Sequence, residues 1–140
     1  MASGFISYLR FMGRVALIIL FFMPLLSLGQ KEVKLKKKYF GTYAGQIPGY
    51  KMNTGSGVVD VSSSAIYVLL DKEVIVVTIG NNKLTGTYEV LFEAKTYYLL
   101  DAKMKGQIAA ERIMVYKRGK RISRDGMFPQ PVSDLKKSKK

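Results

Sequence analysis

Apolar and polar positions alternate through the middle of the chain, and that pattern predicts β-strands. Residues 64–102 read SAIYVLLDKEVIVVTIGNNKLTGTYEVLFEAKTYYLLDA, without proline and with only two glycines. Leu84, Gly86, Tyr88, Val90 and Phe92 alternate with Thr85, Thr87, Glu89, Leu91 and Glu93. This period of two predicts a strand with a core face and, apart from Leu91, a solvent face. AIYVLLD (residues 65–71) and EVIVVTIG (residues 73–80) are nearly continuous apolar runs. Such runs suit strands covered on both faces, or the tightest part of a closed barrel.

Short polar breaks at residues 71–72, 80–82, 93–95 and 105–107 supply the turns between these strands. TYYLLDAKM (residues 96–104) is the next strand. QIAAERIMVYKRG (residues 107–119) reads as the last long strand because of Ile113, Val115 and Tyr116, with a helix as the alternative. Upstream, Tyr39, Gly41, Tyr43 and Gly45 alternate with Phe40, Thr42, Ala44 and Gln46 in a strand whose glycines mark close backbone approaches. Ile47-Pro48-Gly49 stops it, residues 51–57 form a loop, and residues 57–61 form a short strand. Seven or eight strands at this spacing are the mark of a meander, sandwich or barrel, and closure removes exposed edges.

The flanks differ from the middle. VALIILFFMPLLSL (residues 15–28) is apolar and follows Arg10 and Arg14, and small residues Ser27 and Gly29 stand at its end. Residues 1–29 therefore read as a secretory signal, whose apolar run is shorter than the ~20 residues of a spanning helix and is broken by Pro24. The alternative is a retained membrane anchor, since five lysines follow the apolar run, where positive charge disfavours translocation. Residues 30–38 read as a basic, solvated linker, residues 39–126 as the barrel domain, with a short edge strand at residues 121–124, and residues 127–140 as an extended basic tail. Pro129 and Pro131 fix extended backbone there, Phe128 or Leu135 pins the tail to the body, and the closing KKSKK is expected to be disordered.

Charge sharpens this division. The net charge is +13, yet residues 39–116 hold seven basic and seven acidic residues. Beyond Arg10 and Arg14, the surplus lies in residues 31–38 and 117–140, so the chain reads as a neutral domain with basic arms rather than a basic face. Lys36, Lys37, Lys38, Lys117, Arg118, Lys120, Arg121 and Arg124 are the candidate polyanion-binding residues, toward anionic lipid or acidic glycan.

Candidate chemistry is sparse. The chain has no Cys and no His, which removes thiol nucleophiles, disulfides, imidazole bases and the usual zinc ligands. Asp60, Asp71, Glu89, Glu93 and Asp101 are available as acids or bases, but no fixed spacing pairs them. Thr54-Gly55-Ser56-Gly57 lacks the Lys-Ser/Thr and the helix of a phosphate loop. No catalytic residue, metal ligand or cofactor is assigned. Eight tyrosines serve mainly as sheet packing, with Tyr43, Ile47, Pro48 and Tyr50 as the candidate lip of a ligand site at one barrel mouth.

The stretch Phe40-Gly41-Thr42-Tyr43-Ala44-Gly45-Gln46-Ile47-Pro48 resembles the opening strand of calycin-like envelope proteins. More narrowly, it is similar to the amino-terminal domain of NlpE-type copper-stress lipoproteins, where such a strand precedes a Cys pair. Gly41-Thr42-Tyr43 also echoes the Gly-x-Trp of lipocalins. No Cys follows in this chain, so neither metal sensing nor lipid anchoring is implied. The resemblance implies an all-β fold, a small antiparallel meander closing into a calycin-like barrel. It also implies a late-strand arginine, Arg112, covering Tyr43 as a structural closure.

The sequence thus points to an exported, non-enzymatic, monomeric envelope protein, periplasmic or extracellular. Its expected partner is an apolar or amphipathic small ligand or another envelope component. The alternative is a polyanion bound through the basic arms, with nucleic acid disfavoured because the neutral body lacks interleaved basic and aromatic residues.

Overall fold

A computed structural model describes residues 31–139, so the expected signal sequence lies outside the described residues. Ten strands follow a single 3-10 turn at Lys37–Tyr39. They are β1 (Gly41–Ile47), β2 (Tyr50–Asn53), β3 (Val58–Val61), β4 (Ser64–Leu70), β5 (Val74–Ile79), β6 (Asn82–Glu93), β7 (Tyr97–Met104), β8 (Glu111–Tyr116), β9 (Arg121–Asp125) and β10 (Ser133–Lys137). Eight of them close an antiparallel barrel in the order β1-β10-β9-β8-β7-β6-β5-β4, while β2 and β3 form a separate hairpin. The all-β, closed antiparallel architecture expected from the alternation is the one observed.

Period-two alternation builds the interior. Ile66, Val68 and Leu70 of β4 point inward, as do Ile75 and Val77 of β5, Leu100 and Ala102 of β7, and Ile113 and Val115 of β8. An eight-stranded barrel is just wide enough for side chains to fill, and these side chains fill it. Each large aliphatic side chain so buried contributes about 1.5–3 kcal/mol relative to exposure. Residues 111–116 are strand rather than helix, since their inward positions are every second residue.

Four expectations are corrected. Residues 127–140 are not a tail outside the barrel, because β10 lies between β9 and β1 and closes the wall. Leu135, flanked by Asp134 and Lys136, carries the same alternation as the longer strands and is fully buried, whereas Phe128 is 96% exposed. β9 is likewise an interior strand, paired with both β8 and β10, rather than an edge. Residues 30–38 are not wholly solvated linker: Leu35 is buried and Val33 packs against the core among the lysines. Phe92 does not join the core face of β6, because a bulge between Val90 and Phe92 shifts the register and turns Phe92 outward against Tyr97, 5.9 Å between centroids.

Two glycines are required by this closure. A Cβ on Gly45 would stand 2.5 Å from the Asp134 carbonyl, so only glycine lets β1 approach β10. Gly41 adopts φ +133, and a Cβ there would meet Lys137 Cε at 2.9 Å.

Candidate functional site

Strand polarity puts the start of β1, the end of β4, the turn from β8 to β9 and the end of β10 at one end of the barrel. That geometry gathers three basic segments that are remote in sequence. Lys36, Lys37 and Lys38 lie in and before the 3-10 turn, Lys117, Arg118, Lys120 and Arg121 lie in and after the β8–β9 turn, and Lys136, Lys137 and Lys139 lie at the end of β10 and just past it. The contacts between them are direct. Lys137 Nζ donates to the Lys38 carbonyl at 2.9 Å, the Lys137 amide donates to the Lys120 carbonyl at 2.7 Å, and Lys136 sits opposite Arg121 in the ladder.

Tyrosines hold the cations here. Lys38 Nζ lies 5.1 Å from the Tyr39 ring centroid, Lys117 Nζ 5.0 Å from Tyr98, Lys137 Nζ 6.0 Å from Tyr43, and Arg121 Cζ 4.2 Å from Tyr116. An aromatic face orients a cation without neutralising it. Lys117 also binds Glu93 at 2.6 Å, which holds the Glu93 carboxyl below the usual carboxylate range, and Lys34 pairs with Glu73 at 3.6 Å. Lys36, Lys37, Arg118, Lys120 and Lys136 form no ion pair among the described residues. The end therefore carries a surplus of positive charge on a rigid frame.

Tyr39 and Tyr98 plug this end from inside, edge to face at 5.4 Å. The Tyr43 hydroxyl donates to the Tyr39 carbonyl at 2.7 Å, and burial, with Tyr39 beside it, pushes the Tyr43 phenol up to about 12. Burial, with Glu93 nearby, likewise raises Tyr98 to about 12.

The expected lip of Tyr43, Ile47, Pro48 and Tyr50 is not one surface. Tyr43 and Ile47 are buried in the core, Tyr43 reaching toward the basic end, while Pro48 is exposed and Tyr50 half-buried at the other end. Arg112 does not cover Tyr43. It is exposed on the outer wall and bonds Asp101 at 3.0 Å, because it alternates with the inward Glu111 and Ile113. Lys137 takes the position over Tyr43 that the resemblance gave to Arg112.

Arg124 is also reassigned. It shares the inward face with Ile122 and is 1% exposed, so it is no part of a polyanion surface. Its Nε and Nη2 donate to the two Glu111 carboxylate oxygens at 2.7 and 2.6 Å, and Nη1 donates to Gln130 Oε1 at 3.2 Å. The period-two phase of Ile122 and of Ile113 and Val115 was the signal for this buried pair. The loops at that end present Ile108 and Phe128 fully to solvent.

A half-open groove of about 700 Å³ runs along the outer wall beside the basic end. Phe40, Thr42, Tyr67 and Leu69 line it together with Lys137 and Lys139. Comparison with known proteins leaves the site to be read from its own geometry: no family model, no curated protein and no solved structure matches the chain.

Proposed function

We propose that this chain is a non-catalytic envelope protein that docks through the basic end of its barrel onto a polyanionic surface. One observation carries the reading: basic segments 99 positions apart, at Lys38 and Lys137, are joined by a hydrogen bond, and the cations around them rest on tyrosine faces. Flexible basic arms would spend binding energy on ordering, whereas a preformed end does not. Export rests on the apolar run at residues 15–28 with its flanking arginines and small residues. The closed eight-stranded barrel is compatible with the calycin-like envelope resemblance at residues 40–48.

The test is retention on a soluble sulfated glycan, heparin, across a salt series. Binding weakens steeply as salt rises, and the triple variant Lys36→Glu, Lys37→Glu, Arg118→Glu binds at least about tenfold more weakly with a shallower salt slope. Equal retention of variant and parent sinks the reading. The alternative, an apolar or amphipathic small ligand, is favoured by the groove, whose volume is that of small-molecule sites.

A further inference from the structure

Among the described residues, the outer faces of β4 and β5 carry a run of exposed apolar side chains that neither charge nor core packing explains. An antiparallel strand with a solvated side ordinarily alternates apolar with polar. Here the inward residues Ile66, Val68, Leu70, Ile75 and Val77 are apolar, and so are the outward Tyr67, Leu69, Val74 and Val76. Tyr67 is 50%, Leu69 41% and Val74 42% exposed. Leu69 stands directly opposite Val76 in the ladder, so the four side chains make one apolar strip rather than scattered residues. Tyr67 and Leu69 of the strip line the groove, and so do Lys137 and Lys139. Phe40, Gly41 and Thr42 also border it.

An apolar, tyrosine-bearing strip running up to a cluster of uncompensated cations matches one kind of surface. Anionic phospholipid offers phosphates at the depth of the cations and acyl chains just beyond, and tyrosine favours the boundary between them. A glycan or a nucleic acid offers negative charge but nothing to cover Leu69, Val74 and Val76. Asp71 also borders the groove, and its carboxylate accepts from the Lys72 amide at 2.8 Å.

We propose that the polyanion is an anionic phospholipid membrane, with the β4–β5 strip and the adjoining groove entering its headgroup layer while the basic end holds its phosphates. This rests on the docking function proposed above and names its partner.

Flotation with phosphatidylcholine vesicles, with and without phosphatidylglycerol, tests it. The protein floats with the anionic vesicles. The variant Tyr67→Ser, Leu69→Ser loses about tenfold or more in vesicle affinity, since two partly exposed side chains no longer enter the apolar layer, yet it binds heparin as the parent does. A cooperative urea transition shows that the variant is folded. A second measurement uses the parent protein alone: dodecyl phosphate displaces it from anionic vesicles at least about tenfold more effectively than butyl phosphate. If the serine variant binds vesicles like the parent, or the two phosphates compete equally, the membrane assignment fails and polyanion docking stands. If the parent binds neither anionic vesicles nor heparin, both fail together.

Discussion

The two ends of the barrel treat positive charge in opposite ways. At one end Lys38, Lys117, Arg121 and Lys137 lie over the faces of Tyr39, Tyr98, Tyr116 and Tyr43. Those cations are positioned, and among the described residues only Lys117 of the four has a carboxylate partner. At the other end Arg124 is sealed inside the wall by a two-pronged bond to Glu111. A charge in low dielectric must be neutralised, so burial turns Arg124 into a structural residue. A charge on an aromatic face at the rim keeps its field, and it remains available to a partner. Sequence composition makes these arginines and lysines alike, and their depth separates them.

The sealed end gives the largest expected effect. Replacing Glu111 with Ala leaves Arg124 buried and unpaired, and the urea midpoint falls by the equivalent of about 3–5 kcal/mol. The double variant Glu111→Leu, Arg124→Met recovers most of that loss, because two apolar side chains remove the unpaired charge. A double variant no better than the single one would mean that the pair contributes more than mutual neutralisation.

Closure by β10 is the next feature to break. Gly45→Val drives a side chain into the Asp134 carbonyl, and the same denaturation experiment shows a loss of about 1–3 kcal/mol. Unaltered stability would mean that the β1–β10 seam is not tight.

Alkaline titration reads the tyrosines that plug the basic end. Tyr43 and Tyr98 are raised to about 12 from an ordinary 10.0, chiefly by burial, so ionising them is harder in the fold than in the open chain. The stability they carry is complete below pH 10 and is lost as the pH rises through 12. Phenolate absorbance should show most tyrosines titrating together and these late, with unfolding as they ionise. Early titration of all nine would show that the plug is open to water.

The smallest effects separate the cation that lies over Tyr43 from the one the resemblance placed there. Lys137→Met removes the bond to the Lys38 carbonyl and the contact with Tyr43, lowering stability by about 1 kcal/mol. Arg112→Met removes an outer-wall pair with Asp101 and changes stability by no more than about 1 kcal/mol, with about 0.5 typical. The reverse ranking of the two thermal midpoints would restore Arg112 as the cover of Tyr43.

Much of the wall was legible from periodicity. The runs around β4, β5, β6 and β7 alternate or stay apolar over whole strands, and the turns between them are short and polar. β10 was hidden because its apolar positions are few and its neighbours are charged, although Leu135 carries the inward phase. Phe92 was misplaced because a bulge changes the phase within a strand and leaves no local signature. The expected ligand lip failed for a different reason: Tyr43 and Tyr50 are close in sequence, but β1 runs between them from the basic end to the opposite one.

The sequence alone determined the class of fold and the inward or outward sense of most strand residues, because the side-chain period of a strand is a local geometric fact. It also determined that the body is neutral and its flanks basic. Only the tertiary structure decided that the flanks meet. Closure of the barrel through β10 brings Lys38 and Lys137 together, and the phase of β9 sends Arg124 inward while Arg121 stays at the rim. Pairing partners and depth depend on which strands become neighbours, and that is a property of the closed sheet rather than of any one segment.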